Sequence, residues 1–198
     1  IQIEEKCSLV TPKMMYYDYP NHIWYAGSWF VKKKGYLPLH RGIKELDEGQ
    51  YNKTIDVEYA PTCCLLAKKE VFQDIGFMDE KYFVYFDDTD FSYRVWKDGR
   101  HKMLYYPNVE FYHKVGSLTK SFQKDTKKIY RGNFFLQQNT KNHIYFLKKI
   151  GGVFSYTFIV WLFFKNNIRF VVNPLIRKDI STWWLINKSY FQGLISNE

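Results

Sequence analysis

The sequence predicts an α/β protein with a helical C-terminal tail. Short aromatic and apolar runs, punctuated by Gly and Pro, fill the first part of the chain, which is typical of short strands. Helical apolar spacing dominates from about residue 121 onward. With 198 residues, 46% of them hydrophobic, the chain can bury a core and suits one domain, or one domain with an appendage.

Strands and loops are predicted over the first part of the chain. The strands are placed at aromatic or apolar runs, namely 8–17, 22–30 and 57–67. The loops are placed at the basic segment 32–42 and the polar segment 46–54. The run 57–67 is long enough to form a buried strand.

Two helices are predicted in the middle of the chain. The first covers residues 68–76 and ends at Gly76. The second begins near Thr89, where acidic residues complement the helix dipole, and ends at Gly99. The aromatic segment between these helices is predicted to be extended.

Two further strands are predicted on either side of Pro107 and Asn108. A helical segment then covers 121–149, with an interruption near Gly132.

The tail begins with fifteen uncharged residues, 150–164. As a helix they would span about 22 Å, which is short for a bilayer core of about 30 Å. Trp161, Trp183 and Trp184, flanked by Lys and Arg, favour a helix that lies on a membrane surface. Packing of this helix against the rest of the protein and spanning of the membrane remain alternatives.

Charge and cysteine content limit the possible classes. Residues 1–113 carry 15 basic and 17 acidic groups, whereas 114–198 carry 14 basic and 3 acidic groups. This asymmetry suggests an anionic partner for the second part, or simply a solvated basic face.

Three cysteines without metal-ligand spacing argue against a disulfide scaffold or a structural zinc site. No motif of a nucleic-acid-binding fold occurs, so nucleic acid is not expected as a partner. The start without Met suggests a piece of a longer chain.

Asp87, Asp88 and Asp90 form an unusual carboxylate cluster. Like charges this close raise one another's pKa unless a dipole or cation offsets them. The cluster follows an apolar aromatic run, which should place it at the end of a buried strand or loop, where catalytic groups often lie, although it could also be a solvated helix cap. His113 closes another aromatic strand and is either a hydrogen-bonded core residue or a metal ligand.

These residues resemble the second half of the catalytic domain of family 2 glycosyltransferases. The run 76–117 is most similar to rhamnosyltransferase-like enzymes of bacterial surface polysaccharide synthesis. The matching positions are Gly76, Asp79, Phe83, the acidic cluster, Arg94, Gly99, Pro107, His113 and Gly116. Pro12–Lys13, Trp24, Gly27 and Asp47–Tyr51 also fit upstream, and Lys141–Asn142 stands where an Arg-Asn pair is common downstream.

The resemblance implies a partial A-type glycosyltransferase fold. Residues 1–149 would be the acceptor-side half, a mixed sheet with flanking helices, without the N-terminal nucleotide-binding half. Residues 150–198 would be a hydrophobic and basic helical tail that associates with the membrane. Thr62 in place of Gly and Asp87 in place of Glu depart from the family pattern.

The resemblance also implies roles for the site residues. Asp88 matches the general base, Asp87 and Asp90 are its acidic neighbours, and His113 matches a metal-ligand position. A divalent metal, Mn²⁺ or Mg²⁺, is expected, with its other ligands in the missing N-terminal half. Activity of this fragment without that half is doubtful.

The predicted function is therefore transfer of a sugar, with inversion, from a nucleotide-sugar donor to a saccharide or lipid-linked acceptor. The expected location is the cytoplasm, peripheral on the inner face of the cell membrane. The alternative is a non-catalytic membrane-surface module or an inactive transferase fragment.

Overall fold

The computed structural model describes residues 6–114, 132–172 and 179–196. The described chain divides into two compact units. The first comprises residues 6–81 and 87–114, and the second comprises 82–86 together with 132–172 and 179–196. The prediction of a helix over 121–149 falls partly outside the described residues.

The first unit contains a five-stranded mixed sheet and a separate hairpin. The sheet strands are β1 (Leu9–Tyr16), β2 (Ile23–Tyr25), β5 (Ile55–Asp56), β6 (Leu66–Ala67) and β7 (Met103–His113). Their order is β2-β1-β7-β5, with β6 paired to β1. β1 and β7 are parallel and the remaining pairs are antiparallel. The hairpin consists of β3 (Ser28–Val31) and β4 (Leu37–His40).

The sheet and the helices together confirm the predicted α/β class. The first unit contains α1 (Lys69–Ile75) and α2 (Asp87–Asp98). The second contains α3 (Asn133–Ile150), α4 (Gly152–Val172) and α5 (Ile180–Ile195). Both predicted middle helices are present, and Gly76 and Gly99, each with a positive φ angle, follow their last residues.

The parallel pairing of β1 with β7 organises the first unit. β1 is buried along almost its whole length, which is typical of a central strand. Its register with β7 shifts between Pro12 and Lys13, which pair with Tyr106 and Glu110. β7 therefore runs as one strand through Pro107, and the prediction of two separate strands is wrong. Because Pro107 cannot donate to a ladder, the break appears as a bulge instead.

Three other segments differ from the prediction. The run 57–67 contains a 3₁₀ turn after Pro61, and only Leu66–Ala67 pairs as a strand. The segment predicted as a basic loop, 32–42, contains β4. The aromatic segment before α2 is not extended, since Phe83, Tyr85 and Phe86 all have positive φ angles.

The core of the first unit lies between the sheet and its two helices. The buried side chains packed there include Leu9, Met14, Ile23, Tyr25, Val71, Phe91, Val95 and Tyr105. Lys13 is also buried, and its ammonium contacts the carboxylate of Asp47 at 2.7 Å and the amide oxygen of Asn52 at 2.6 Å. Two segments that the resemblance singled out separately therefore meet in one polar contact.

The second unit is built around α3. Its residues 142–147 are buried without interruption. α5 crosses α3 closely at Gly193, where an added Cβ would overlap the carbonyl oxygen of Lys141 and lie 2.8 Å from the Cβ of Ile144. Glycine is thus the residue that permits this helix crossing.

The tail helices leave large apolar side chains exposed. Trp161 and Trp184 are exposed, whereas Trp183 is half-buried, donates to the amide oxygen of Asn167 at 2.9 Å and stacks on Phe170. Among the helices of the described ranges, none combines the length and the apolar character that crossing a membrane requires.

Candidate active site

Asp88 lies in the first turn of α2 and is partly buried. One carboxylate oxygen accepts a hydrogen bond of 2.6 Å from the phenol of Tyr59. The other accepts a longer one, 3.3 Å, from the hydroxyl of Thr89. Asp88 is therefore held in place by neutral donors and has no cationic partner among the described residues.

The environment raises the pKa of Asp88 from its ordinary value of 3.8 to about 6. Burial is the main cause, because it disfavours the charged form. The negative charge of Asp87 raises the pKa further, whereas the hydrogen bonds from Tyr59 and Thr89 lower it. Near neutral pH Asp88 is therefore mostly ionised, and its carboxylate is a stronger base than that of an ordinary aspartate.

Tyr59 is the residue that sequence reasoning missed. It is buried, and both burial and the charge of Asp88 hold the pKa of its phenol well above the usual range. The phenol therefore remains a hydrogen-bond donor at all physiological pH values. No sequence signal marks Tyr59, since it lies in an apolar run that resembles a core strand.

A series of stacked and tilted rings links the two ends of the predicted site. The ring of Tyr59 stacks on His40 with centroids 5.5 Å apart, and His40 meets Trp24 edge-on at 5.3 Å. Trp24 in turn contacts the imidazole of His113 at 4.4 Å. A continuous series of contacting rings thus connects the surroundings of Asp88 with His113, although no hydrogen bond joins the two residues in the described part of the chain.

His40 differs from the other rings of this series in its protonation and hydrogen bonding. Burial lowers the pKa of its imidazole from 6.5 to about 4, so the ring is neutral at physiological pH. Its Nδ1 atom is buried and has no hydrogen-bond partner within the described residues. A neutral ring can pack between Tyr59 and Trp24 without bringing a charge near Asp88.

His113 ends β7 and is half-buried, with its ring also stacked on Phe111. Burial lowers the pKa of its imidazole, which favours the neutral form that a metal ligand needs. Across residues 6–114, 132–172 and 179–196, however, no three His, Cys, Asp or Glu side chains are grouped to hold a metal ion. His113 could supply one ligand, and a complete ligand set would need groups from outside the described residues.

The other two acidic residues of the cluster lie in different surroundings. Asp90 is buried and its carboxylate pairs with the guanidinium of Arg94 at 2.8 Å. Arg94 also donates to the carbonyl oxygens of Ile75 and Phe77, which ties α2 to the end of α1. Asp87 is partly exposed at the start of the helix. Catalytic roles for Asp87 and Asp90 stay predictions.

Cys63 is a further neighbour of Asp88. Cys63 is an exposed residue, but desolvation of its thiol and the negative charge of Asp88 raise the thiol pKa to about 11, so the sulfur is uncharged. Its Sγ atom lies 3.7 Å from the Sδ atom of Met14. The 3₁₀ turn that carries Cys63 thus places an uncharged thiol near the carboxylate of Asp88.

A separate polar contact in the second unit holds the segment 82–86. The amide nitrogen of Asn142 lies 2.9, 2.8 and 3.0 Å from the carbonyl oxygens of Tyr82, Val84 and Tyr85. Asn142 is completely buried in α3. This amide stabilises a backbone in which three aromatic residues have positive φ angles, a conformation that costs about 1–3 kcal/mol per residue.

No protein family matches the sequence, and no curated protein matches it at a significant level. The local chemistry around Asp88 and the resemblance of the sequence motifs are therefore the two supports for a function.

Proposed function

We propose that this chain is the acceptor-side part of an inverting sugar transferase of the family 2 type. The full-length enzyme would have an A-type fold and would act in bacterial cell-surface polysaccharide synthesis. The mixed sheet with flanking helices is compatible with that fold. The motifs from Pro12 to Asn142, which occur in the same order as in the family, support the assignment to it. The nucleotide-sugar-binding half would precede this chain.

The observation that carries the proposal is the state of Asp88. Its carboxylate is partly buried, is held by the Tyr59 phenol and has a pKa of about 6. A general base is most effective when its pKa lies near the operating pH. A merely solvated helix cap would have neither the buried phenol donor nor the raised pKa.

The proposed step is a single displacement. The acceptor hydroxyl oxygen attacks the anomeric carbon of the donor, and its proton passes to the carboxylate of Asp88. The bond between that carbon and the nucleotide diphosphate oxygen breaks, and its electron pair leaves with the diphosphate. Attack from the face opposite the leaving group inverts the configuration. Such proton transfer contributes on the order of 10²–10⁴-fold to the rate.

A divalent metal would neutralise the diphosphate as it leaves. The described residues do not form a complete set of metal ligands. His113 would supply one ligand from this chain, and its neutral imidazole suits Mn²⁺ better than Mg²⁺.

Substitution of Asp88 by Asn in the full-length protein tests the general base. Asn can still accept the hydrogen bond from Tyr59, so the local geometry should survive while the proton acceptor is lost. We expect transfer to fall by about 100-fold or more, with donor affinity retained. The assay measures release of nucleotide diphosphate and donor binding by calorimetry.

The matched control is Asp98→Asn, which makes the same change at the other end of α2. Asp98 is bonded to Arg100 and lies far from the phenol of Tyr59 along the helix. If Asp88→Asn and Asp98→Asn both turned over like the parent enzyme, Asp88 could not be the base.

A second candidate function, a membrane-surface module, is favoured by α4. One face of this helix exposes apolar side chains at intervals of three or four residues: Val153, Tyr156, Val160, Phe164, Ile168 and Val171. Lys165 lies 4.6 Å from the ring centroid of Trp161, and α4 contains Arg169 but no acidic residue. Cations beside an apolar stripe favour an anionic lipid surface. In the transferase, this face would hold the protein on the inner membrane, close to a lipid-linked acceptor.

Vesicle co-sedimentation of the full chain tests the membrane face. We expect binding to vesicles of phosphatidylglycerol and phosphatidylethanolamine that weakens with salt and is lost when Phe164 and Ile168 are both changed to Ser. Leu66→Ser, at an exposed apolar residue of the first unit, is the matched control. Equal binding by all three proteins would exclude α4 as the contact, and binding by none would exclude the membrane role.

A further inference from the structure

A hollow lies in the first unit, at the C-terminal end of α2. It has a volume of about 380 Å³, within the range of small-ligand sites. Trp96 at its wall and Asp88 are eight residues apart on the same helix, about 12 Å along its axis. The hollow is therefore separate from the carboxylate proposed as the base.

Two tryptophans are among the residues that line this hollow, Trp29 on β3 and Trp96 on α2. Both side chains are half-buried, and neighbours fix their orientation. The ring of Trp96 contacts Phe30 at 5.5 Å, and the guanidinium of Arg41 lies 5.5 Å from the ring centroid of Trp29. Fixed aromatic rings present flat, weakly hydrated surfaces at low entropic cost.

Polar groups of both kinds lie beside the rings. Glu58 is anchored because one of its carboxylate oxygens accepts a 2.8 Å hydrogen bond from the backbone amide of Phe30. Asp56 and Lys102 face each other at 3.2 Å with largely solvent-exposed side chains, which a ligand could engage in place of water. His101 also lines the hollow, but Ser8 and Asp74 engage its two ring nitrogens.

This combination suits a neutral, polyhydroxylated ligand. Sugar hydroxyls can donate to the carboxylates of Asp56 and Glu58 and accept from the ammonium of Lys102. The C–H face of a pyranose ring can lie on an indole. Two carboxylates against one ammonium disfavour phosphate and other anions. A quaternary ammonium ion would also suit indoles and carboxylates, but it would leave the ammonium of Lys102 without a use.

We propose that this hollow is a saccharide-binding subsite, separate from the reacting centre at Asp88. The choice of a saccharide as ligand rests on the proposed function, whereas the site itself rests on the rings and polar groups that line it. In the transferase it would hold a non-reacting sugar of the acceptor.

Ligand-observed NMR and calorimetry on the full chain, with methyl glycosides of rhamnose, glucose and N-acetylglucosamine, test the subsite. We expect weak binding of at least one glycoside, reduced about tenfold by Trp96→Ala. Because Trp96 packs on Phe30, Asp56→Asn is the second variant, at an exposed side chain whose change leaves the core intact. Trp184→Ala removes an exposed indole of α5 outside the hollow and should change nothing.

Failure of the subsite and failure of the transferase can be told apart. Asp88→Asn should reduce transfer by about 100-fold or more and leave glycoside binding at the hollow unchanged. The inference is overturned if no glycoside binds, if neither Trp96→Ala nor Asp56→Asn weakens binding, or if tetramethylammonium binds there and the glycosides do not. Glycoside binding without any sugar transfer by the full-length protein would overturn only the proposed function.

Discussion

The phenol of Tyr59 donates a 2.6 Å hydrogen bond to the carboxylate of Asp88, across 29 positions of sequence. The bond favours the charged form of the carboxylate, in opposition to burial. Tyr59 therefore sets how basic the proposed base is, and the pH dependence of transfer should report on this contact.

Tyr59→Phe should move the acid limb of the pH profile of kcat/KM to higher pH. The parent should lose activity as pH falls through about 6, where Asp88 becomes protonated. Without the phenol the pKa of Asp88 rises, while the Phe ring can still stack on His40. Asp87→Asn should move the limb the other way, because it removes a charge that raises the same pKa. Tyr93→Phe, at a buried tyrosine that does not contact Asp88, is the control. Identical acid limbs in all four proteins would contradict the assignment.

Asp88→Asn should stabilise the fold at neutral pH. The folded-state pKa of about 6 exceeds the ordinary 3.8, so the native state binds the proton more tightly than the unfolded state. Stability is therefore lost as pH rises from about 4 to about 6, by roughly 1–3 kcal/mol. The Asn variant lacks this loss. Urea unfolding of both proteins at pH 4 and pH 7 checks the prediction. If the free energies of unfolding of parent and variant differed by the same amount at both pH values, the prediction would be wrong.

Lys13→Met should destabilise the protein by about 3 kcal/mol or more, because it leaves the carboxylate of Asp47 poorly solvated and unpaired. The side chain of Lys13 is 3% exposed and that of Asp47 is 14% exposed. Denaturant midpoints measure the effect, and Lys53→Met at an exposed lysine serves as the control. The double variant Lys13→Met with Asp47→Leu should recover much of the loss. A Lys13→Met protein as stable as Lys53→Met would show that the contact adds nothing.

Asn142→Ala should loosen the segment 82–86. The carbonyl oxygens of Val84 and Tyr85 lose this amide donor, whereas that of Tyr82 keeps the backbone N–H of Val84, and an unsatisfied buried group costs about 1–3 kcal/mol. Chymotrypsin cleaves after aromatic residues, so limited proteolysis at Phe83 and Tyr85 is a direct measurement. We expect faster cleavage there in Asn142→Ala than in Asn133→Ala, a change at the exposed start of α3. Equal cleavage rates would mean that the amide does not hold this segment.

Local sequence signals predicted those parts of the fold whose causes are local. α1 and α2 were predicted because Gly76 and Gly99 end them, and Asp88 was placed correctly at the start of a helix. The strand β4 was missed because a basic, Gly- and Pro-containing segment becomes a strand only through pairing with β3.

The remaining differences depend on contacts distant in sequence. Aromatic residues favour strands, yet Phe83, Tyr85 and Phe86 adopt positive φ angles in a segment that is held by Asn142. Tyr59 could not be identified as a partner of Asp88 because nothing in its own neighbourhood distinguishes it from a core tyrosine. The metal ligation by His113 and the roles of Asp87 and Asp90 stay predictions.

The parallel pairing of β1 with β7 has a consequence for how the protein is made. Leu9 lies beside Met103, so the strands at the centre of the sheet are separated by about 90 residues of chain. Closing so large a loop before any ladder forms is slow, and it cannot begin on the ribosome until β7 has emerged. The early strands should therefore depend on chaperones during synthesis, and nascent chains stalled before Met103 should remain protease-sensitive.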